Sequence, residues 1–573
     1  MTRILFVFAA LLAMIWVLYW VMPADIAYPD DKKVLAKGQK LFATHCVSCH
    51  DLAADGMGPR LGGVTLLLSR DSLVSIIKDP TRVIASGNQR AVALHARYKQ
   101  SMPSYAWMGV DSIHAILSYI DYETRQRHIN ALTVNVDTAA AEALTGKLLK
   151  SIRKSGLKVE LEDFIRIPRP EYSTPDLGIV TLRPHPSGDG RLFVSDQAGI
   201  LYQVANGKAE VFLDLRQHIK DFSIGPGLAT GLGSFDFHPD FLNNGLIYIT
   251  HAEKYLGQQA DYVISVAAKA EVQWVLSEWK VKDVNSKIFR GTRRELLRVH
   301  APTFGHGAQD IGFIAGLPRN HPHYGLLYFG FGDGGSNNIG RPELGHHPKS
   351  FLGTILRIDP LGNNSRNGKY GIPADNPFVS NPDPETLAEI WAYGFRNPHR
   401  LAWDPANDFR MIATDIGEAN IEEINIIERG GDYGWPDREG NFGIATTKDL
   451  KTVFSLPPGD THYKAPYTQY DHTDGYAISG GYVYDGTLEA LRDKYIFGDI
   501  VNGKLFYVTM DEPLTDSVIH EITIIDNGKE TTLRALSGIK RLHLRISYDR
   551  FSGNLYVITK ADGLIRRVVK AYW

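Results

Sequence analysis

Cysteine is nearly absent from this chain: two residues in 573, Cys46 and Cys49, with no other thiol from which a disulfide framework could be built. A disulfide-stapled secreted scaffold is therefore excluded. A charge excess of either sign is also missing. There are 62 lysines and arginines against 64 aspartates and glutamates, a net charge of −2. Nucleic acid is not an expected partner, because phosphate binding calls for a clear basic surplus. No low-complexity tract interrupts the composition, so the chain reads as globular, and its length predicts two or three folded units. What is plentiful is glycine and tyrosine, 54 and 27 residues, with many tyrosines in short strand-like runs. Together they favour turns and β-structure over a helical bundle.

The first stretch is an exception to that pattern. Ile4 to Met22 is an apolar run of 19 residues, which as a helix spans about 28 Å, roughly a bilayer core. Arg3 precedes it, while Asp25, Asp30 and Asp31 come before the next lysine, Lys32. This arrangement predicts an inside N-terminus and an exported body. Residues 1–28 are expected to anchor the protein on the periplasmic side of a bacterial inner membrane. The alternative is a cleaved signal peptide and a periplasmic protein. Asp25 makes a poor cleavage site before Ala27, and the run is long for a signal.

Residues 29–130 form the first expected unit. Lys33 to Cys46 reads as a helix leading into Cys46-Val47-Ser48-Cys49-His50. Two thiols three positions apart, followed by an imidazole, can hold both vinyl edges of a haem and ligate its iron. A bare Cys-x-x-Cys could instead be a redox dithiol or half of a zinc site. No second pair exists to complete a zinc site, and His50 favours haem. The segment resembles a small class I cytochrome c, with Gly38 and Phe42 in the first helix and Gly58-Pro59 after the haem motif. It closes with an amphipathic helix, Val110 to Tyr122, whose Ile113, Ile116, Leu117 and Ile120 share one face. The resemblance implies a methionine as sixth iron ligand. Met102 fits, because Pro103 keeps it out of helical geometry and its thioether raises the haem potential. Met108 and Met57 are the other candidates.

Residues 131–165, alanine- and lysine-rich, are expected to be a linker with some helix, with continuation into a first strand as an alternative. From residue 166 to 573 a short phrase recurs: a Gly, Asn or Asp turn, then a strand of Leu-Tyr-Val type. It occurs at Gly190–Val194, Gly245–Ile249, Gly325–Phe329 and Gly553–Val557, and more loosely at Lys494–Phe497. About 400 residues of strands and turns suit a six-bladed β-propeller, with two sandwich domains as the alternative. The expected fold class is mainly β: this propeller, preceded by the membrane helix and a small all-α cytochrome c domain.

Longer phrases then carry a family resemblance. They include Phe237-His238-Pro239-Asp240-Phe241, Gly332-Asp333-Gly334-Gly335, Tyr393-Gly394-Phe395-Arg396-Asn397-Pro398, Glu422-Glu423-Ile424-Asn425 and Asp432-Tyr433-Gly434-Trp435-Pro436. In this order they resemble the glucose/sorbosone dehydrogenase family, propellers that oxidise sugars with pyrroloquinoline quinone (PQQ). The resemblance implies that His306 is the catalytic base, a task suited to a neutral imidazole. It implies that Arg396 and Asn397 contact the quinone, the guanidinium matching its carboxylates. It also implies that the carbonyls of Gly417 and Glu418 hold a cofactor-bridging Ca²⁺, and that Glu423 and the carbonyl of Tyr433 hold a structural one. Two positions depart from the family. Ala229 stands where a cofactor-contacting glutamine is expected, and Val501 or Asn502 where a cofactor-binding lysine is expected, with Lys504 nearby.

The expected function is a membrane-anchored quinohaemoprotein. Its propeller oxidises a sugar or other alcohol with PQQ and Ca²⁺, and its own c-type haem takes the electrons for a downstream acceptor of the respiratory chain. A reduced quinone needs an outlet, and a tethered haem supplies one at high effective concentration. The alternative is a non-enzymatic propeller that binds a glycan or protein, fused to an electron-transfer cytochrome.

Overall fold

The computed structural model describes residues 28–52, 58–86, 88–98, 102–127, 129, 147–169, 178–225, 229–263, 272–301, 303–339, 341–444, 450–455, 463–510, 517–560 and 562–573. The expected anchor, Ile4 to Met22, and the candidate ligand Met57 lie outside the described residues. Among the described residues, no helix is long and apolar enough to cross a membrane.

The N-terminal part is helical: α1 (Lys32–His45), α2 (Arg70–Lys78), α3 (Pro80–Ala85), α4 (Gln89–Tyr98) and α5 (Val110–Gln126). Asp31 starts α1 by accepting the backbone N–H groups of Lys33 and Val34 at 2.8 and 3.0 Å, which satisfies two of the orphan donors of the first turn. Gly38 then lets α1 lie directly against α5, since a Cβ there would sit 2.0 Å from the Ala115 carbonyl oxygen. The expected apolar face is realised, with Ile113, Ile116, Leu117 and Ile120 buried together with Phe42, Leu73 and Met108.

The rest is β-structure in successive antiparallel meanders. Among the described residues, four sheets have four strands each, a fifth has nine and a small sixth has three. The first strands of the meanders touch one another in sequence: Ile179–Pro184, Leu232–Phe237, Ala308–Phe313, Pro398–Asp404, Tyr482–Val483 and Leu544–Asp549, with the last returning to the first. Each contributes a polar side chain to the centre, among them Arg183, Asp236, Asp310, Arg400, Tyr482 and Arg545. Arg183 there donates to the Tyr482 hydroxyl at 2.6 Å, and Asp310 accepts from Ser234 at 2.9 Å.

The recurring phrase has a structural meaning. In each case it is the turn into the second strand of a meander, and Gly190, Gly245, Gly325 and Gly553 all have φ between +67° and +85°, a conformation that costs glycine little. In the looser copy Asp493 takes the left-handed position at φ +59°. A sixth copy, unmarked by glycine, turns through Asp408 and Phe409 at φ +49° and +52° into Arg410–Asp415.

The end of the expected linker, 131–165, is the strand that its continuation allowed. Arg153–Arg166 is a 14-residue strand that pairs in parallel with His520–Asp526 and antiparallel with Leu564–Tyr572. Leu157 and Val159, two apart and therefore on one face, are buried at 0% and 2% exposure, and this alternation makes the segment a strand. Just before it, Asp471 accepts the N–H groups of Leu148 and Leu149 at 3.0 and 2.9 Å.

Candidate functional site

Two cavities share one wall. The first lies in the helical domain and is lined by Cys46, Cys49, His50, Pro59, Met102 and Met108, over an apolar surface from Leu73, Ile77, Ile116, Leu117 and Ile120. His50 Nδ1 bonds the Pro59 carbonyl at 2.7 Å. A carbonyl only accepts, so Nδ1 carries the proton and Nε2 is the ligating atom. Gly58 makes room for this ring, since a Cβ there would meet His50 Cε1 at 2.4 Å. Paired thiols, an oriented imidazole and an apolar shell fit a covalent haem. The structure brings both Met102 and Met108 to the cavity. Met108 is packed into the core at 4% exposure, while Met102 lies in a non-helical segment before α5. Met102 is therefore the methionine whose placement fits the expected ligand role. Met102→Ala is expected to abolish the sulfur-to-iron absorption band and to lower the haem potential, because the thioether favours ferrous iron. An unchanged spectrum transfers the role to Met108.

The second cavity is a cleft at one end of the central ring. His306, Arg396, Asn397, Gly417 and Glu418 all line it, as do Ala229 and Val501. Its other side is the haem motif itself, Val47 to Asp51. The structure thus gathers the expected catalytic and cofactor-binding residues and sets the haem domain over them.

His306 is held in a left-handed backbone at φ +47°, uncommon outside glycine and typical of functional positions. Its Nδ1 is 2.6 Å from Asp333 Oδ1. Asp333 is fully buried; Oδ1 also accepts the Gly335 N–H at 2.8 Å and Oδ2 accepts Trp435 Nε1 at 3.2 Å. Burial pushes the Asp333 carboxyl up, but His306, Arg396 and the backbone donor outweigh it and hold it below the usual range. An ionised carboxylate accepts only, so the Nδ1 proton stays on His306 and the Nε2 lone pair becomes the basic one.

Arg396 is buried, with Nε and Nη2 on Glu418 Oε2 at 2.8 and 2.5 Å and Nη1 on the Ile416 carbonyl at 3.1 Å. Its fork is therefore committed largely to Glu418. The side-chain oxygen of Asn397 is buried with no partner. Glu423 is away from the cleft, facing Asp415 across adjacent strands. The Tyr433 ring stacks on Phe395 at 4.6 Å and its hydroxyl donates to the Ile426 carbonyl at 2.7 Å. Only its carbonyl could serve an ion. Lys504 pairs with Glu521 at 3.1 Å and is absent from the cleft lining.

Sequence reasoning missed the cationic floor: Arg541, Arg545 and Lys560, with His399 and His543 between them. Burial and the neighbouring cations push both histidines well below their usual range, and push Arg545 down as well. The Nε atoms of Arg541 and Arg545 are buried without hydrogen-bond partners. This surplus of positive charge and unused donors fits a planar polyanion. A signal was available in Arg541-Leu542-His543-Leu544-Arg545, where polar residues alternate with leucines that are both fully buried.

Comparison with known proteins agrees with this reading of the two parts. Residues 35–122 match the cytochrome c family model, and residues 182–563 match the glucose/sorbosone dehydrogenase model. The chain is 27% identical over 368 residues to the HIPL1 protein of Arabidopsis thaliana, covering 55% of this chain and 50% of that one. It is 25% identical over 258 residues to quinoprotein glucose dehydrogenase B of Acinetobacter calcoaceticus, 39% and 45% of the two chains. The chain spans about half the length of the curated relatives it matches. A solved glucose dehydrogenase shares the fold, with a TM-score of 0.51 at 19% identity, over 71% of this chain and 98% of the other. With about two thirds of its length matched by one family model, this chain belongs to the glucose/sorbosone dehydrogenase family and carries a cytochrome c domain ahead of it.

Proposed function

We propose that this chain is a quinohaemoprotein dehydrogenase of sugars or other alcohols. Its β-domain is a six-bladed propeller, the nine-stranded sheet being two blades joined by Arg153–Arg166. The observation that carries the reading is that one cleft is lined by His306, held by Asp333, by the cations Arg541, Arg545 and Lys560, and by the haem motif. A PQQ bound there supplies a two-electron acceptor. The chain's own residues do the rest. His306 Nε2 removes the hydroxyl proton, and Asp333 fixes the ring and stabilises the imidazolium formed. Arg541, Arg545 and Lys560 hold the anionic groups of the cofactor. These cations stand in for the contacts missing at Ala229 and Val501. The test is addition of PQQ and Ca²⁺ to purified apoprotein, with uptake of one PQQ per chain expected. Failure to bind PQQ sinks the reading.

The expected ions belong to this proposal. Among the described residues, no three His, Cys, Asp or Glu side chains gather to hold a metal, so the Ca²⁺ sites would mix carbonyl oxygens with one or two carboxylates. Asp415 and Glu423 fit the second site, with the Asn425 side-chain oxygen buried beside them and unpartnered. Burial raises both carboxyls, Asp415 further through the charge of Glu423, and Glu423 to about 7. A raised carboxyl keeps an extra proton in the folded state, so stability is lost as pH climbs from the ordinary carboxylate range through about 7. In EGTA the Tm is therefore expected to fall between about pH 5 and about pH 8. Saturating Ca²⁺ should restore stability by ~2–3 kcal/mol, mostly at the higher pH. A Tm indifferent to Ca²⁺ at both pH values removes the site.

The protein is further proposed to be anchored at the periplasmic face by Ile4 to Met22 and to feed a respiratory acceptor. A mature N-terminus near Tyr28 by mass spectrometry would replace the anchor with a cleaved signal. A second reading is favoured by Ala229 and Val501 in the cleft and by the relative named Hedgehog-interacting protein, of Homo sapiens, 26% identical over 345 residues. In it the propeller binds a glycan or protein without catalysis, and it takes over if PQQ does not bind.

A further inference from the structure

Three residues line both cavities: Cys49, His50 and Arg541. Among the described residues lining the haem cavity, Arg541 alone comes from the β-domain. Cys49 and His50 present one side to the haem space and the other to the cleft of His306. In a c-type haem the Cys49 sulfur would be bonded to the macrocycle, so a residue joined to the cofactor itself lines the cleft. Arg541 stands in the same partition with Nε buried and without a hydrogen-bond partner, beside the cations Arg545 and Lys560.

We propose that this partition is the electron crossing of the protein, and that Arg541 is a positioning residue that sets the haem potential from across the domain boundary. The inference rests on the quinohaemoprotein reading and names the route it leaves open. Oxidising an alcohol to a carbonyl releases two electrons and two protons. The hydroxyl proton goes to His306 and on to solvent. Both electrons pass with the second hydrogen to the quinone in the cleft, whose proton is later released. They then cross the partition one at a time, each reducing ferric haem to ferrous. A one-electron acceptor outside the chain reoxidises the haem between crossings. Direct crossing suits this geometry because electron transfer slows steeply with distance, and here Cys49, His50 and Arg541 belong to the walls of both cavities. The charge of Arg541 acts in the same direction. Ferric haem carries one more positive charge than ferrous, so a fixed cation in its wall favours reduction.

The test uses the full chain with haem, as wild type, Arg541→Gln and Arg541→Lys. Spectroelectrochemistry without added quinone is expected to show a lower haem potential in Arg541→Gln and a potential near wild type in Arg541→Lys. With PQQ and Ca²⁺ loaded, stopped-flow mixing with a sugar that turns over should reduce the haem in a first-order phase. Its rate should not change with protein concentration and should fall several-fold in Arg541→Gln. A rate proportional to protein concentration, or an Arg541→Gln potential equal to wild type, overturns the inference. Dichlorophenolindophenol separates the two levels. Sugar-dependent reduction of the dye without haem reduction leaves the dehydrogenase reading standing and removes the crossing. If sugar reduces neither, the dehydrogenase reading falls, and the potentials of the Arg541 variants still decide the place of Arg541 in the haem wall.

Discussion

His306→Gln is expected to lower kcat by ~10²–10⁴-fold, the usual worth of general-base catalysis. Gln keeps similar bulk and can still hydrogen-bond to Asp333, but has no basic nitrogen to receive a hydroxyl proton. PQQ affinity should barely change, because on the proposed reading Arg541, Arg545 and Lys560 would hold the cofactor's anionic groups and Asn397 would supply a further contact, none of which the substitution touches. Haem reduction by sugar should slow in parallel, while reduction by dithionite stays normal. Turnover at the wild-type rate in this variant would remove His306 from the chemistry.

Asp333→Asn is expected to have the second largest effect on turnover. Asp333 accepts on both oxygens, from His306 and Gly335 on one and from Trp435 on the other. An amide has a single oxygen. Placed towards His306, it turns its NH₂ against Trp435 Nε1. Placed towards Trp435, it meets His306 with a donor, so that the imidazole proton must move to Nε2 and the base is lost. Either arrangement leaves a buried donor unpaired, at a cost of about 1–3 kcal/mol. In kcat this is roughly tenfold to a hundredfold. The loss should appear in kcat with KM little changed, which separates misorientation of the base from damage to substrate binding. An unchanged kcat would reduce the pair to a structural contact.

Much of this protein could be read along the chain, and the legible parts share one property: they are local. Haem attachment needs five consecutive residues, so Cys46 to His50 announced it outright. The amphipathic face of α5 and the glycine turns before second strands are likewise written within a few positions. Where a turn used Asp408 and Phe409 instead of glycine, the repeat became invisible, because left-handed geometry is rarely encoded by those residues. The extent and partners of Arg153–Arg166, where the sequence allowed only a strand at the end of a linker, were hidden for a different reason. Its alternation is interrupted by charge, and its partners lie more than 300 residues away.

By itself the sequence determined the covalent chemistry of the first domain, the β-character of the second, and the presence of a histidine and an Arg-Asn pair in a recognisable order. Tertiary structure decided what these residues face. Closure of the ring brings the strand of Arg545 beside that of Arg183 and carries Arg541 to the cleft of His306. Docking of the helical domain then sets Cys49 against the same Arg541. Residues almost 500 positions apart meet because apolar sheet faces can be buried only against one another, and no local pattern records which polar groups that burial leaves around the central opening.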